Sequence, residues 1–205
     1  MNRMAAPSDS QLLAQTRAGD RNAFSMLIDR HKDAMVNYLT RMTGSRDRAD
    51  ELAQETFVRL YTMSPAAAAP DGGLGPWLYR VATNIVRSDE RRARRWRVFW
   101  FAMAGSGADG GAVNGVVGGA IEQAVEGRQE AELLADETRR QVVAALAALP
   151  LRFRTPLVLR EIQGLPYEEI ALVTGTPLGT VRSRISRGRA LLRARLAPLW
   201  NGHHR

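Results

Sequence analysis

Hydrophobic and polar positions in the first half of the chain alternate with the period of an α-helix. Apolar residues between positions 11 and 42 recur three and four positions apart, which predicts two amphipathic helices separated at Gly19 and Asp20. A third helix is predicted from about 47 to 63. A fourth is predicted to begin near Pro76, because proline suits a first helical turn. The inward stripe of the third helix consists of Ala49, Leu52, Ala53, Thr56 and Leu60.

The same spacing returns in the second half and predicts four more helices. They are expected over residues 138–149, 154–162, 167–173 and 177–196, and proline or glycine lies at each break. No segment of the sequence requires a β-strand. The pattern therefore predicts an all-α protein with eight helices.

A change of composition separates the two sets of helices. Residues 105–119 contain seven glycines, and residues 122–137 contain six acids against one arginine. This composition predicts a flexible linker between two small helical domains of roughly 95 and 65 residues. The predicted limits are 1–97 for the N-terminal domain, 98–137 for the linker, 138–200 for the C-terminal domain and 201–205 for a tail.

Composition argues against most enzyme chemistries. The 205 residues include no cysteine and three histidines, which excludes disulfides and thiolate zinc sites and argues against an imidazole metal site or a Ser-His-Asp triad. We therefore expect no catalytic residue, no metal and no cofactor. The N-terminus lacks the apolar core of a signal peptide, and no apolar run approaches the roughly 20 residues of a membrane span, so we expect a cytoplasmic protein.

The net charge of +8 is concentrated in two basic clusters. Residues 80–97 carry seven arginines against two acids, and residues 178–195 carry six arginines and no acid. The second cluster lies on the second helix of a predicted helix-turn-helix, whose inner faces include Ile170 and Val181. Such a helix attracts phosphate, and its arginines can hydrogen-bond guanine edges. We therefore predict that the C-terminal domain binds DNA.

Aromatic side chains accompany the first basic cluster. Trp77, Tyr79 and Trp96 lie within or beside it, and base stacking combined with phosphate neutralisation is typical of single-stranded nucleic-acid binding. For Trp77, an anchor in the domain core is an equally good interpretation. The cluster as a whole predicts a second nucleic-acid surface.

The third predicted helix also has a polar face. Glu51, Gln54, Glu55 and Val58 are spaced so that they share one side of the helix. No histidine, lysine or tyrosine is matched to these carboxylates for acid–base work. The face is therefore predicted to bind a partner rather than to catalyse a reaction.

Together these segments resemble the bacterial RNA polymerase sigma factors of the extracytoplasmic-function (ECF) class in the sigma-70 family. Residues 19–31, 50–60 and 77–84 resemble the start of the first conserved domain, its polymerase-binding helix and its promoter-melting helix. The second conserved domain is matched by residues 149–150, 159–161, 167–171 and 179–185. The resemblance implies that the N-terminal domain is sigma region 2 and the C-terminal domain is the helix-turn-helix of region 4.

The resemblance also implies roles for individual residues of region 2. Glu51, Gln54 and Glu55 match positions that contact core RNA polymerase. Trp77 and Asn84 match positions that capture the minus-ten promoter element as it opens, and the charge pattern adds three arginines to that surface. The predicted minus-ten residues are Trp77, Arg80, Asn84, Arg87 and Arg91.

In region 4 the implied role is to read the minus-thirty-five element as duplex DNA. The implied function is that of a sigma factor, which binds core RNA polymerase and promoter DNA, is controlled by an anti-sigma factor and catalyses nothing itself. The predicted minus-thirty-five residues are Arg160, Thr180, Arg182, Ser183 and Arg187.

Two segments depart from the family. The loop 64–75 lacks the family's usual aromatic residue, so it gives no base-receiving pocket, and the aromatic patch at 98–103 is expected to pack on a domain or a regulator. A stand-alone helix-turn-helix repressor is the main alternative function, but it leaves the polar face of the third helix and the first basic cluster unexplained. A recombinase would need a serine or tyrosine nucleophile flanked by acids and bases, which the sequence does not offer.

Overall fold

A computed structural model describes residues 6–63, 73–103 and 128–202 of the chain. These residues form eight α-helices and no β-strand, which confirms the predicted all-α fold. The helices are α1 Asp9–Arg17, α2 Arg21–Thr43, α3 Arg46–Tyr61, α4 Leu74–Met103, α5 Arg128–Ala147, α6 Leu151–Glu161, α7 Tyr167–Thr174 and α8 Leu178–Gly202.

Polar side chains fix the ends of the first helices. Ser8 and Gln11 form a capping box at the start of α1, and the Asp20 carboxylate accepts hydrogen bonds from the first backbone N–H groups of α2. Gly44 ends α2 with a φ of 79°, a left-handed conformation that glycine adopts without strain. The predicted break at Gly19 and Asp20 is confirmed.

The core of the N-terminal domain forms around α2, which packs against α1, α3 and α4. Tyr38 of α2 is fully buried, with its hydroxyl oxygen 2.8 Å from that of Thr83 and its ring edge against Tyr79. This burial raises the pKa of Tyr38, so the hydroxyl stays protonated. All five residues of the predicted inward stripe of α3 are buried, as expected.

The C-terminal domain packs α6, α7 and α8 against one another. Helices α7 and α8 pack together, and Ile170, Val181 and Ile185 are buried in the same hydrophobic cluster. Gly188 allows α8 to lie close to α6, because a Cβ at this position would lie 3.2 Å from the Phe153 carbonyl oxygen. The face of α8 opposite these residues is left to solvent.

Two helices extend into the segment predicted as linker. α4 continues to Met103, and α5 begins at Arg128. The predicted limits followed changes of composition and charge, but residues 98–103 contain no glycine or proline to stop a helix. The acidic stretch is compatible with a helix because Asp136 and Glu137 pair with the arginines three positions later, with N–O distances of 2.9 Å. The glycine-rich residues 105–119 lie outside the described residues.

Asp9 joins α1 to α2 and gives a pH-dependent prediction. Partial burial acts to raise its pKa, but hydrogen bonds from Arg30 and His31 outweigh burial and lower it. A carboxylate with a lowered pKa stabilises the fold above its unfolded pKa of about 3.9, and the stabilisation is lost as the pH falls through the folded pKa. We expect Asp9→Asn to lower the free energy of unfolding by about 1 kcal/mol at pH 7, and by less below pH 4.

Urea unfolding of both proteins at pH 7 and pH 3 measures this difference. Asp33→Asn is the matched control, because Asp33 is an exposed acid on α2, the helix that carries the two partners of Asp9. If Asp9→Asn lowered the free energy of unfolding equally at the two pH values, the lowered pKa of Asp9 would be contradicted.

Candidate nucleic-acid interface

One face of α4 carries five side chains that the sequence assigned to nucleic acid. They follow one another at intervals of three and four positions, so they form a continuous line along the helix. Asn84 is exposed, and its side-chain oxygen lies 3.5 Å from an Arg87 guanidinium nitrogen. We call this line the α4 stripe; it consists of Trp77, Arg80, Asn84, Arg87 and Arg91.

The opposite face of α4 explains why the stripe points outward. Leu78, Ala82, Ile85 and Val86 are at most 3% exposed and anchor the helix in the core. Among the described residues, no acidic side chain forms an ion pair with the three arginines of the stripe, whereas Arg92, which directly follows Arg91, pairs with Asp89. The stripe therefore presents uncompensated positive charge to solvent.

Trp77 occupies an intermediate position at the N-terminal end of the stripe. Its indole is half-buried and packs against the hydrophobic core, while part of it stays accessible. Trp77 can therefore be both an anchor in the domain core and a surface on which a base stacks. The loop 64–75, which precedes Trp77, lies mostly outside the described residues.

The helix-turn-helix presents a second cationic surface. Gly175, with a φ of 63°, ends α7 in the left-handed conformation and turns the chain into α8. On α8, Arg182, Ser183 and Arg187 are exposed and Thr180 is half-buried. These four residues lie in the first three turns of the helix, which is the part that a recognition helix places in the major groove.

Arg160 differs from the other predicted minus-thirty-five residues because its guanidinium is already engaged. It donates a hydrogen bond of 3.0 Å to the Leu165 carbonyl oxygen and lies 4.9 Å above the Tyr167 ring centre. The neighbouring Glu161 pairs with Arg189 of α8 at 2.6 Å. In this structure Arg160 holds the turn between α6 and α7.

The polar face of α3 is exposed but is not purely acidic. Glu51 pairs with Arg48, and Glu55 pairs with Arg59 at 2.6 Å. Gln54 lies between the two pairs and is exposed. The three predicted polymerase-binding residues thus share one surface, and each carboxylate on it is held by a basic neighbour.

Sequence reasoning missed the arginines of this face. Spacings of three and four positions could have revealed the pairs that Glu51 and Glu55 form. Arg48 also binds the Asp89 carboxylate of α4, and these hydrogen bonds, with a further one to Glu51, raise the pKa of Arg48. The link from Arg48 to Asp89 crosses between helices, so no local spacing could have predicted it.

Neither a metal site nor a membrane span is found in the part of the chain that the structure describes. Its acidic and histidine side chains form no group of three or more that could hold a metal ion. None of its helices is long and apolar enough to cross a bilayer.

Comparison with known proteins identifies both halves of the chain. The family model "Sigma-70 region 2" matches residues 27–97, and "Sigma-70, region 4" matches residues 139–192. The chain is 31% identical over 192 residues to the ECF RNA polymerase sigma-E factor of Haemophilus influenzae, covering 94% of this chain and 97% of that protein.

Solved structures of similar chains agree with this assignment. CnrH in complex with the cytosolic domain of CnrY matches with a TM-score of 0.62 and 25% identity, covering 93% of this chain and 97% of CnrH. The sigma factor RpoE of Bartonella quintana, in complex with the anti-sigma factor NepR, shares the fold with a TM-score of 0.55 and 20% identity, over 85% and 96% of the two chains. The chain therefore belongs to the sigma-70 family of bacterial RNA polymerase sigma factors, in the ECF class.

Proposed function

We propose that this protein is the promoter-specificity subunit of a bacterial RNA polymerase, which reads a minus-thirty-five element as duplex and captures a melted minus-ten element. The observation that carries the proposal is the presence of two separate exposed cationic surfaces, the α4 stripe and the start of α8, on one chain of this family. A protein that binds one DNA site through a helix-turn-helix needs only the second surface. The α4 stripe thus favours the sigma-factor function over a repressor.

The α4 stripe suits single-stranded DNA. Its arginines neutralise phosphates, Asn84 offers both a donor and an acceptor to a base edge, and the accessible part of Trp77 gives a stacking surface. Binding the opened strand more tightly than the duplex shifts the equilibrium toward the melted promoter. In this mechanism the protein supplies binding energy, while the polymerase catalyses phosphodiester synthesis.

The α8 surface suits duplex DNA. The major groove admits an α-helix, and arginine is the residue that most often reads guanine through two parallel hydrogen bonds. Arg182 and Arg187 are exposed and make no ion pair with the described residues, so both are available for DNA. Arg160 contributes by fixing the turn before α7, which sets the position of the recognition helix.

The remaining partners follow from the family and from the α3 face. Sigma factors bind core RNA polymerase, and we assign that contact to Glu51, Gln54 and Glu55. Control by an anti-sigma factor fits the complex described for the Bartonella quintana sigma factor. We propose a cytoplasmic location, because core RNA polymerase and promoter DNA are found there.

Run-off transcription with core RNA polymerase and a library of candidate promoters tests the proposal. We expect RNA of defined length only when the protein is added, because core polymerase alone does not select promoters. A gel shift of the same promoters without polymerase distinguishes a sigma factor from a repressor. A repressor should bind the promoter tightly by itself, whereas a sigma factor should bind it poorly. Failure of the purified chain to join core polymerase would overturn the sigma-factor assignment of its surfaces.

A further inference from the structure

Helix α4 changes character after Val86. Up to that position the helix is anchored in the core of the N-terminal domain, and Ile85 and Val86 are at most 3% exposed. From Arg87 to Trp96 no side chain is buried, so apolar packing does not hold this part of the helix. Two members of the α4 stripe, Arg87 and Arg91, lie in this part. The direction in which they point therefore depends on other contacts.

Asp89 makes the contact that ties this part of α4 to α3. Its carboxylate accepts hydrogen bonds from two nitrogens of the Arg48 guanidinium, one of them 3.2 Å long between Nε and Oδ2. The side chains are 33% and 28% exposed, and a pair with two parallel hydrogen bonds fixes direction as well as distance. A groove of about 230 Å³ lies between α3 and α4 beside the pair. The pair therefore continues the contact of α4 with α3 where apolar packing becomes incomplete.

The charge of the surrounding segment shows that Asp89 does not serve DNA binding directly. Residues 87–97 contain six arginines and two acids. An acid in such a segment weakens the attraction for phosphate, so its benefit must lie elsewhere. The Asp89 carboxylate also lies 3.3 Å from the Arg92 guanidinium, one turn later, which offsets part of the repulsion among the arginines. Both contacts suit a residue that holds the helix in place.

We propose that Arg48 and Asp89 form a positioning pair for promoter opening. The pair fixes the part of α4 after Val86 on α3, so that Arg87 and Arg91 meet the melted strand. These two arginines are each two positions from Asp89, and residues two apart lie on nearly opposite sides of a helix. The carboxylate therefore faces α3 while the arginines face away from it. The role in promoter opening rests on the proposed function of the α4 stripe, whereas the fixing of α4 does not.

Arg48 also connects the pair to the polar face of α3. Its guanidinium donates a further hydrogen bond to Glu51, a residue that we assign to core polymerase. One side chain thus bridges the polymerase-binding face and the helix that carries the α4 stripe. Docking of α3 on the polymerase then sets the direction of the stripe as well, because α3 and α4 are joined on the polymerase side of the domain.

Two substitutions test the positioning role because they change the charge differently. Arg48→Lys keeps the positive charge but replaces the planar guanidinium, which makes two parallel hydrogen bonds, by a single ammonium group. Asp89→Asn removes an acid from the DNA-binding helix, so electrostatics alone predicts tighter binding of DNA. We expect both variants, assembled with core polymerase, to bind the minus-ten single strand about three- to tenfold more weakly than the wild type. Their affinity for core polymerase should be unchanged.

Fluorescence anisotropy of a labelled single strand, taken from a promoter that run-off transcription identifies, measures this loss. Titration of the strand with the assembled polymerase gives the dissociation constant and the binding-competent fraction separately. Loss of positioning raises the dissociation constant, whereas partial unfolding lowers the competent fraction. Asp89→Glu keeps the carboxylate and should retain most of the affinity. Asp29→Asn is the control for net charge, because this exposed acid pairs at 2.9 Å with Lys32 on its own helix.

Combined variants test whether the two residues act together and through the stripe. If they form one pair, Arg48→Lys/Asp89→Asn should bind the strand no more weakly than the weaker single variant. In a protein that already carries Arg87→Ala/Arg91→Ala, Asp89→Asn should cause no further loss, because the pair acts through these arginines. Losses that multiply in either comparison would overturn the proposal. Binding of the strand by Asp89→Asn as tightly as by the wild type would overturn it too.

Hydrogen exchange of the free protein tests the fixing of α4 without polymerase or DNA. We expect the backbone amides of residues 90–96 to exchange at least about threefold faster in Asp89→Asn than in the wild type, because local opening becomes easier. The amides of residues 78–86, which the core anchors, should keep their protection. Equal exchange of residues 90–96 in the two proteins would overturn the proposal. A wild-type protein that binds no promoter strand with core polymerase would instead overturn the proposed function, whatever the exchange rates.

Discussion

Replacing Arg182 and Arg187 with alanine is expected to reduce transcription from a promoter that needs its minus-thirty-five element by about a hundredfold. Each good arginine contact to a base is worth about 1–3 kcal/mol, so the loss of two contacts costs at least about 2 kcal/mol, and a hundredfold effect lies near the lower end of the expected range. Both side chains are exposed on α8, and the helix is anchored on the opposite side by Val181 and Ile185, which are at most 1% exposed. The double variant should therefore fold normally.

Run-off transcription on two templates measures this effect. On the template with an intact minus-thirty-five element, transcription with the variant should be reduced. It should equal the transcription that the wild type gives on the template whose minus-thirty-five element is scrambled. Arg193→Ala/Arg195→Ala is the matched control, because it removes two exposed arginines from the same helix beyond the predicted recognition turns. If the control lost as much promoter choice as the test pair, general charge rather than Arg182 and Arg187 would explain DNA binding.

The contrast between Arg182 and Arg160 shows what sequence could and could not predict in region 4. The helical period, Gly175 and the absence of acids from the start of α8 are local, so both the helix-turn-helix and its exposed arginines could be predicted. The partner of Arg160 is a backbone carbonyl five residues away, together with the Tyr167 ring, and it depends on how the turn closes. A motif shows that an arginine is present but does not show which acceptor it meets.

The packing between the two domains could not be predicted from the sequence, for a related reason. Arg154 of α6 donates a hydrogen bond to the Met42 carbonyl oxygen and pairs with the Glu90 carboxylate, and these partners are 112 and 64 positions away in the sequence. No periodicity relates residues at such distances. Helix limits were also shifted near 97 and 138, because the charge changes used to place them do not end a helix. The helix predicted over 154–162 begins at Leu151, directly after Pro150, whereas the break at Gly19 was predicted correctly.

Neutralising the acids of the α3 face is expected to have the second large effect, on polymerase binding. Glu51 and Glu55 each pair with an arginine, so Glu51→Gln/Glu55→Gln removes two negative charges, frees Arg59 and leaves Arg48 paired with Asp89 alone. The charge of this face rises by two, from nearly neutral to positive. We expect the affinity for core polymerase to fall ten- to a hundredfold, since a change of sign at an interface replaces attraction by repulsion over a short distance.

Fluorescence anisotropy of the labelled protein, titrated with core polymerase at two salt concentrations, measures this loss. Asp136→Asn/Glu137→Gln on α5 is a close control, because these exposed acids pair with Arg139 and Arg140 in the same way but lie on a different domain. The α3 variant should bind weakly at both salts, and the α5 control should bind like the wild type. Equal weakening in both variants would mean that net charge, and not this face, governs recruitment to the polymerase.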